Sequence, residues 1–314
     1  MGGKSIPQDW PEDEAISDPQ QHDIVIPVMG ITGSGKSTLI NSLLGEKRLS
    51  VGHDIDPCTK VIKYVITKHP NDKALRIVFV DTPGLNSTIA PDREILQRIA
   101  SWLKKSYRDG TRLAGIIYMH DISQARATSL ACENLDYFDR LCAERNTQNV
   151  LLATAKWSSS GKNLEADREA ELMGPEHWQP LLNRVGSRMG RLLDSTGKSA
   201  WALVNLIIAD AFTFDTEKIE DDMRLMKESL KKKGDGPRLI AELEALLRSQ
   251  KAMAQQLKGA KAVDDHLWKE LVENDKQIRD NIRQIGTKVT LTERVKAFFW
   301  GPKGLRIHEG RSRR

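Results

Sequence analysis

The stretch "VMGITGSGKSTLINSLLG", residues 28–45, limits the possible folds more than any other part of the chain. An apolar, β-branched run leads into Gly30, Gly35-Lys36-Ser37 follows after four intervening residues, and Leu39, Ile40, Leu43 and Leu44 then share one helical face. Strand, glycine-rich turn and helix in immediate succession are what an anion cradle requires. The glycines let successive main-chain N–H groups point inward at phosphate oxygens, and the helix N-terminus adds its dipole. The spacing G-x-x-x-x-G-K-[ST] assigns Gly30, Gly33, Ser34, Gly35, Lys36, Ser37 and Thr38 to that cradle. Lys36 would reach the β- and γ-phosphates, and the Ser37 hydroxyl would ligate Mg2+. A plain turn between strand and helix accounts for the glycines but not for the lysine.

Apolar runs recur at 24–29, 61–66, 77–80, 113–119 and 149–154, with helical periods between most of them. Ile95, Leu96, Ile99 and Trp102 mark one helix, and Leu135, Phe138 and Leu141 another. This alternation predicts an α/β fold: three layers, with a mainly parallel sheet covered on both faces. The stretch "HPNDK" (69–73) is too short for a crossover helix, so the second and third strands should form the one antiparallel pair.

The third strand ends in Asp81-Thr82-Pro83-Gly84. A carboxylate at a strand's carboxyl end beside a phosphate loop positions Mg2+ through water. Gly84 would offer an unobstructed N–H to a γ-phosphate and let the following segment swing when that phosphate leaves. Between the two motifs lies the polar stretch "GHDIDPCTKV", where Thr59 is the candidate for completing the metal's coordination. The metal set is then Ser37, Thr59 and Asp81, and the catalytic set Lys36, Thr59 and Gly84. His53, Asp54 and Asp56 read as solvated loop residues.

Several function classes fall away. Cys58, Cys132 and Cys142 show no paired spacing, which argues against a metal cluster or a disulfide framework and for a reducing, cytoplasmic setting. No apolar run reaches the length of a membrane span. The first 22 residues lack a secretory core and a myristoylation pattern, and are expected to be a disordered lead-in. From Lys296 onward six cations face one acid, which equals the surplus of +5 for the whole chain. The basic balance is therefore a property of the tail and predicts no specific nucleic acid as partner of the main domain.

The predicted domain covers 23–212, and a helical or coiled-coil arm covers 213–300. In the arm Ile219, Met223, Met226 and Leu230 step by four, three and four. "GDGP" (234–237) interrupts, then Leu239, Leu243, Leu246, Gln250, Met253 and Leu257 continue, followed by Leu267, Leu271, Asn274, Ile278, Ile282 and Ile285. Such seams pair with one another or with a helical partner. The basic tail, 301–314, follows Phe298, Phe299 and Trp300. Aromatics beside cations suit either an anionic membrane surface or packing on the protein itself.

Gly30 to Ser37, Thr59 and Asp81 to Gly84, in that order, resemble the G1, G2 and G3 motifs of regulatory P-loop GTPases. Within that class the chain is similar to fungal G-domain proteins related to the AIG1 and septin groups. The stretches "VGHDIDPCT", "LAGIIYMHDIS" and "REAELMGPEHWQPLLNRVGSRM" carry this likeness. The resemblance implies a P-loop NTPase fold and a slow, Mg2+-dependent GTPase that binds GTP and GDP and acts as a switch through its arm. It also implies G domains pairing across the nucleotide as a homodimer, with His120, Arg108 and Arg126 as candidate donors in trans. Two departures stand out. The base-reading N-K-x-D is Ala155-Lys156-Trp157-Ser158, where Lys156 would lie over the purine and the charged acceptor is replaced. Leu85 stands where many GTPases carry a water-orienting glutamine. An ATP-preferring or base-promiscuous NTPase, and a non-hydrolysing interaction protein with a structural P-loop, are the competing expectations.

Overall fold

The computed structural model describes residues 12–20, 23–51, 59–70, 72–86, 90–106, 112–124, 130–141, 149–158, 164–183, 187–230, 234–259 and 265–288. The chain divides into two compact units, Met1–Ile208 and Ala209–Arg314.

The first unit is a sheet of seven strands. In chain order its elements are β1 (Ile24–Gly30), α1 (Lys36–Leu44), β2 (Lys63–His69), β3 (Asp72–Asp81), α2 (Asp92–Ser106), β4 (Arg112–Leu113), β5 (Ile116–Asp121), α3 (Leu130–Leu141), β6 (Val150–Ala155), α4 (Leu164–Leu172), α5 (Gln179–Leu182) and β7 (Arg188–Arg191). The strands lie in the order β2-β3-β1-β5-β6-β7, with the two-residue β4 beside β1. All neighbours are parallel except β2 and β3. This is the doubly covered P-loop NTPase architecture, with its one antiparallel pair where the short connection requires it. The expected fourth run divides into β4 and β5, and β7 is a strand that the apolar runs did not mark.

Every residue of β1, β5 and β6 is buried, so these central strands read as unbroken apolar runs rather than alternations. Parity splits them between two faces. Val25, Met29, Val78, Val80, Ile116, Tyr118, Val150 and Leu152 pack with Ile95, Leu96, Ile99 and Trp102 of α2 and Leu135 and Phe138 of α3. On the opposite parity Phe79 meets Trp201 edge-on at 6.2 Å, and the Trp201 indole N–H donates to the Leu43 carbonyl at 3.2 Å. Leu141, expected on the apolar face of α3, is exposed, because six residues carry it well round the helix from Leu135.

Residues 12–20 are not the loose lead-in that composition predicts. Glu14 N–H donates to the Ile62 carbonyl at 3.1 Å, and the Trp102 indole donates to the Glu14 carbonyl at 2.8 Å. The Asp13 carboxylate pairs with the buried Arg98 guanidinium and accepts from Ile62 N–H. A buried guanidinium requires an anionic partner, and the acidic lead-in supplies it.

Helix α6 (Gly197–Leu230) contains the boundary between the units and runs past residue 212, the predicted end of the first domain. In the second unit it is followed by α7 (Gly236–Gly259) and α8 (Asp265–Lys288). Met223 and Leu230 share one core with Leu239, Ile240, Leu243, Leu247, Ile278 and Ile285. Several positions of the predicted seams, Met223, Leu230, Leu239, Leu243, Ile278 and Ile285, are thus buried together within the arm. Asn274 donates to Gln250 Oε1 at 2.6 Å and to the Leu246 carbonyl at 2.9 Å, a buried polar pair of the kind that fixes helix register. Among the described residues no helix is long and apolar enough to cross a membrane.

Candidate nucleotide site

The carboxyl ends of β1, β3, β5 and β6 share one edge of the sheet, where open parallel sheets bind ligands. β1 delivers the loop 31–35, and α1 begins at Lys36 behind a left-handed Gly35 with no side chain capping its first turn. The leading amides of that turn have no helical carbonyl in reach and point toward the loop. At Gly30, φ is 139°, and a Cβ would stand 2.2 Å from the Met119 carbonyl oxygen and 2.9 Å from Ser34 Oγ. Only glycine fits between the loop and β5. A Cβ at Gly33, by contrast, would meet nothing within 4 Å. Ser34 is buried with its hydroxyl unpartnered, and the Thr32 hydroxyl is likewise unpartnered. Thr38 sits half-buried in the first turn, where its carbonyl accepts from Ser42 Oγ at 2.9 Å.

Lys36 is 6% exposed, and its ammonium donates to the Gly30 carbonyl at 3.1 Å and the Ile31 carbonyl at 3.0 Å. An ammonium has three donors, so one is left for an anion. Burial pushes the Lys36 pKa down to about 8, against the upward pull of Asp81. Beside it Ser37 Oγ donates to Asp81 Oδ2 at 2.9 Å, Thr59 Oγ1 approaches the same oxygen at 3.4 Å, and the two hydroxyls lie 3.4 Å apart. Burial raises the Asp81 pKa; Ser37, Lys36 and Thr59 oppose it. Asp81 Oδ1 is buried without a partner. Among the described residues no three His, Cys, Asp or Glu gather around a metal position. Two hydroxyls and one carboxylate, whose second oxygen is orphaned, form a donor set suited to Mg2+, which keeps waters and takes few protein ligands.

The segment after β3 is stitched to the loop. Leu85 N–H donates to the Gly30 carbonyl and Thr32 N–H to the Leu85 carbonyl, both at 3.0 Å. A Cβ on Gly84 would fall 2.3 Å from Thr32 Oγ1 and 2.6 Å from Thr32 Cα. Leu85 itself is 1% exposed and belongs to the core beneath the sheet edge, so it orients no water.

At the other end Lys156 has a left-handed backbone, φ 64°, and its ammonium pairs with Asp121 Oδ2 at 2.7 Å. The Trp157 indole donates to Thr154 Oγ1 at 3.2 Å, and the Arg191 guanidinium covers its ring at 4.6 Å while pairing with Glu169. His120, a candidate donor to a second protomer, lies inside instead. It packs edge-on against Trp178 at 5.6 Å, and burial lowers its pKa below the ordinary imidazole value, so it is neutral there. Arg108, Arg126, His53, Asp54, Asp56 and the tail lie outside the described residues. Asp121 was not anticipated as part of the site. The only trace of it is a carboxylate at the end of an apolar strand, the pattern that had marked Asp81.

A family model described as "50S ribosome-binding GTPase" matches residues 25–156. "GTPase Era" from Campylobacter jejuni subsp. doylei is 39% identical over 75 residues, 24% of this chain and 24% of that protein. "GTPase Era" from Mesorhizobium japonicum is 36% identical over 72 residues, 23% of this chain and 22% of that protein. The chain thus spans about a quarter of the length of these curated relatives. Among solved structures, Arabidopsis thaliana Toc33 in complex with Mg2+ and GMPPNP is 18% identical, covers 60% of this chain and 83% of its own, and has a TM-score of 0.41. The likeness to these GTPases thus covers residues 25–156, less than half of the chain.

Proposed function

We propose that this protein is a Mg2+-dependent guanine-nucleotide switch that hydrolyses GTP slowly and signals through its helical arm. The reading rests on one observation above the others. A buried ammonium with one donor to spare stands beside the Ser37–Asp81–Thr59 oxygens, at the uncapped start of α1. In this reading the amides of Gly33 to Thr38 bind the phosphates, Lys36 bridges their outer oxygens, and Ser37, Thr59 and Asp81 hold the metal. Bound Mg2+ would neutralise charge across the β- and γ-phosphates. Gly84 would report the γ-phosphate by exchanging its contact with Thr32 for one to that group. Leu85, buried at the position where many GTPases carry a water-orienting glutamine, would leave turnover slow. Ras alone turns over at only ~10⁻⁴ to 10⁻³ s⁻¹, and the rate here should be no faster.

Calorimetry with GTP and GDP, with and without Mg2+, tests the reading. Binding that weakens without the metal and is lost in Lys36→Ala supports it; unchanged affinity in that variant refutes it. A base-promiscuous NTPase is the second reading, favoured by Ser158 in the acceptor position and by Asp121 being tied to Lys156. Competition between GTP and ATP separates the two. The proposal also places the chain beside the fungal AIG1- and septin-like proteins, on the three stretches quoted above. It takes the protein to be cytoplasmic and to act as a homodimer or with a helical partner, with the aromatic basic tail meeting an anionic membrane surface.

A further inference from the structure

Between Thr59 and the first ladder pair of β2, Lys63 with Asp81, three residues run outside any strand. Their backbone polar groups need partners other than a neighbouring strand. The lead-in supplies the first set. The Asp13 carboxylate accepts from Ile62 N–H at 2.8 Å, and Glu14 N–H donates to the Ile62 carbonyl at 3.1 Å. Helix α2 supplies the second, through Arg98 Nη1 donating to the Lys60 carbonyl at 3.1 Å. The two supports are joined to each other. Asp13 Oδ2 accepts from Arg98 Nε at 2.6 Å, and Asp13 Oδ1 pairs with Arg98 Nη2. One helical turn on, the Trp102 indole donates to the Glu14 carbonyl at 2.8 Å.

The lead-in is held along its length. Ile16 packs against the core that α2 shares, Ser17 N–H donates to Tyr64 Oη at 3.3 Å, and Arg76 Nη2 donates to the Asp18 carbonyl at 2.8 Å. Neutralising the buried Arg98 takes one carboxylate. It does not require both backbone groups of Ile62 or the carbonyl of Lys60, and these further contacts all fall on the residues that follow Thr59. The Thr59 hydroxyl in turn stands 3.4 Å from both Ser37 Oγ and Asp81 Oδ2. Mg2+ takes its oxygens at about 2.1 Å in a near-octahedral array, so a ligand displaced by about half an ångström is lost to it.

We propose that Asp13 is the positioning residue of Thr59: with Arg98 it fixes residues 60–62 and so places the Thr59 hydroxyl for the metal when a triphosphate is bound. The inference rests on the nucleotide-binding reading above and adds what controls its response to the γ-phosphate. Asp13 touches neither the nucleotide nor the metal. Drawing the lead-in away from α2 releases Thr59 and weakens the triphosphate complex, while the diphosphate stays held by the phosphate loop. The lead-in is thus an internal control on the switch.

The test measures the affinity of the full chain for GDP and for a non-hydrolysable GTP analogue, each with Mg2+ and with EDTA. Asp13→Asn removes the charge that Arg98 requires. Glu14→Pro removes the N–H given to Ile62 and leaves no buried charge unpaired. Each variant should bind the analogue with Mg2+ about tenfold more weakly, the effect of losing one polar contact, with GDP affinity and both affinities in EDTA changed by less than about twofold. Thr59→Ala should give the same pattern, and adding Asp13→Asn to it should weaken the analogue no further, because both act through one contact. Equal losses for the two nucleotides, or losses that add in the double variant, make the lead-in a purely structural strap and overturn the proposal. If Asp13→Asn fails to fold, Glu14→Pro and its double variant with Thr59→Ala decide by the same criteria. Wild type that binds neither nucleotide removes the nucleotide-binding reading, and this inference with it. Wild type that binds both, with variants that keep its analogue-to-GDP ratio, overturns this inference alone.

Discussion

At the phosphate end of the site the groups come from one unbroken run, Gly30 to Ser37, joined by Thr59 and Asp81. At the proposed base end Asp121 and Lys156 come from two separate segments and meet only because β5 and β6 lie side by side. In the proposed function the first end would act mainly through main-chain amides and one buried ammonium, and the second through side chains that are partly exposed. Backbone cradles depend on local conformation, so they tolerate little substitution within the run.

The strongest way to break this contrast is Lys36→Met. Lowering a lysine's pKa from 10.5 to about 8 means the fold bears roughly 3 kcal/mol against the charged form at neutral pH. Because the folded pKa is depressed, that cost is full below about pH 8 and is relieved as pH rises toward the unfolded value. Methionine has similar length and no charge, so the variant should melt at the same temperature as wild type or higher. Its nucleotide affinity should nevertheless fall by about a hundredfold or more, since a charge-assisted contact is lost at a buried site. A large drop in melting temperature would instead make Lys36 a structural residue.

Gly84→Ala comes next. The added methyl would meet Thr32 Cα at 2.6 Å and Thr32 N at 2.8 Å, which are backbone atoms and do not yield. Overpacking of this kind costs about 1–3 kcal/mol. Chemical denaturation should show that loss, and the affinity for GTP should fall more than that for GDP if Gly84 reports the γ-phosphate. Equal losses for the two nucleotides would detach Gly84 from the switch.

The geometry of the proposed phosphate end was legible in advance for the same reason that it is expected to be sensitive. Its chemistry is written in consecutive residues whose spacing follows from the backbone conformation they must adopt, and Asp81 is marked by the end of its strand. The sheet was legible where strands are buried on both faces, as in β1, β5 and β6. The four residues of β7, "RMGR", are half-buried and polar enough to look like loop, so that strand was not. The packing of residues 12–20 also escaped the reading, because one ion pair, Asp13 with Arg98, reverses what an acidic composition suggests. At the base end Lys156 was legible as a motif remnant. Asp121 was not, since 35 residues separate it from its lysine and no spacing rule links the two.

A pH titration of binding sharpens the contrast with a smaller effect. A bound phosphate favours the charged lysine and raises its pKa above the free value of about 8. Affinity should therefore be full below about pH 8. Above it, affinity should fall by up to about tenfold per pH unit until the bound-state value is reached. Calorimetry in buffers of different ionisation enthalpy should show proton uptake on binding at pH 9 and little at pH 6.5. No uptake at pH 9 would mean that Lys36 does not meet the anion.

The smallest expected effect belongs to Asp121→Asn. Asp121 is buried, and burial alone would raise its pKa, but the hydrogen bonds from Lys156 and Ser123 outweigh that and hold it below the ordinary value. Oδ1 accepts from Ser123 N–H at 3.0 Å and from Ser123 Oγ at 2.6 Å, while Oδ2 takes the lysine. An asparagine cannot satisfy both sides. With its carbonyl toward Ser123 it sets an amide donor against the ammonium, and flipped over it sets that donor against Ser123 N–H. The first choice is the cheaper, because the Lys156 side chain is 48% exposed and can turn to water. The loss of stability should stay below about 1 kcal/mol, as for an exposed pair. Releasing the lysine should also relax the left-handed turn at Lys156, so nucleotide dissociation should quicken by a few fold while the phosphate-end pH profile stays unchanged. If stability falls by more than about 2 kcal/mol, the pair is a structural bolt, and the base end is as locally determined as the phosphate end.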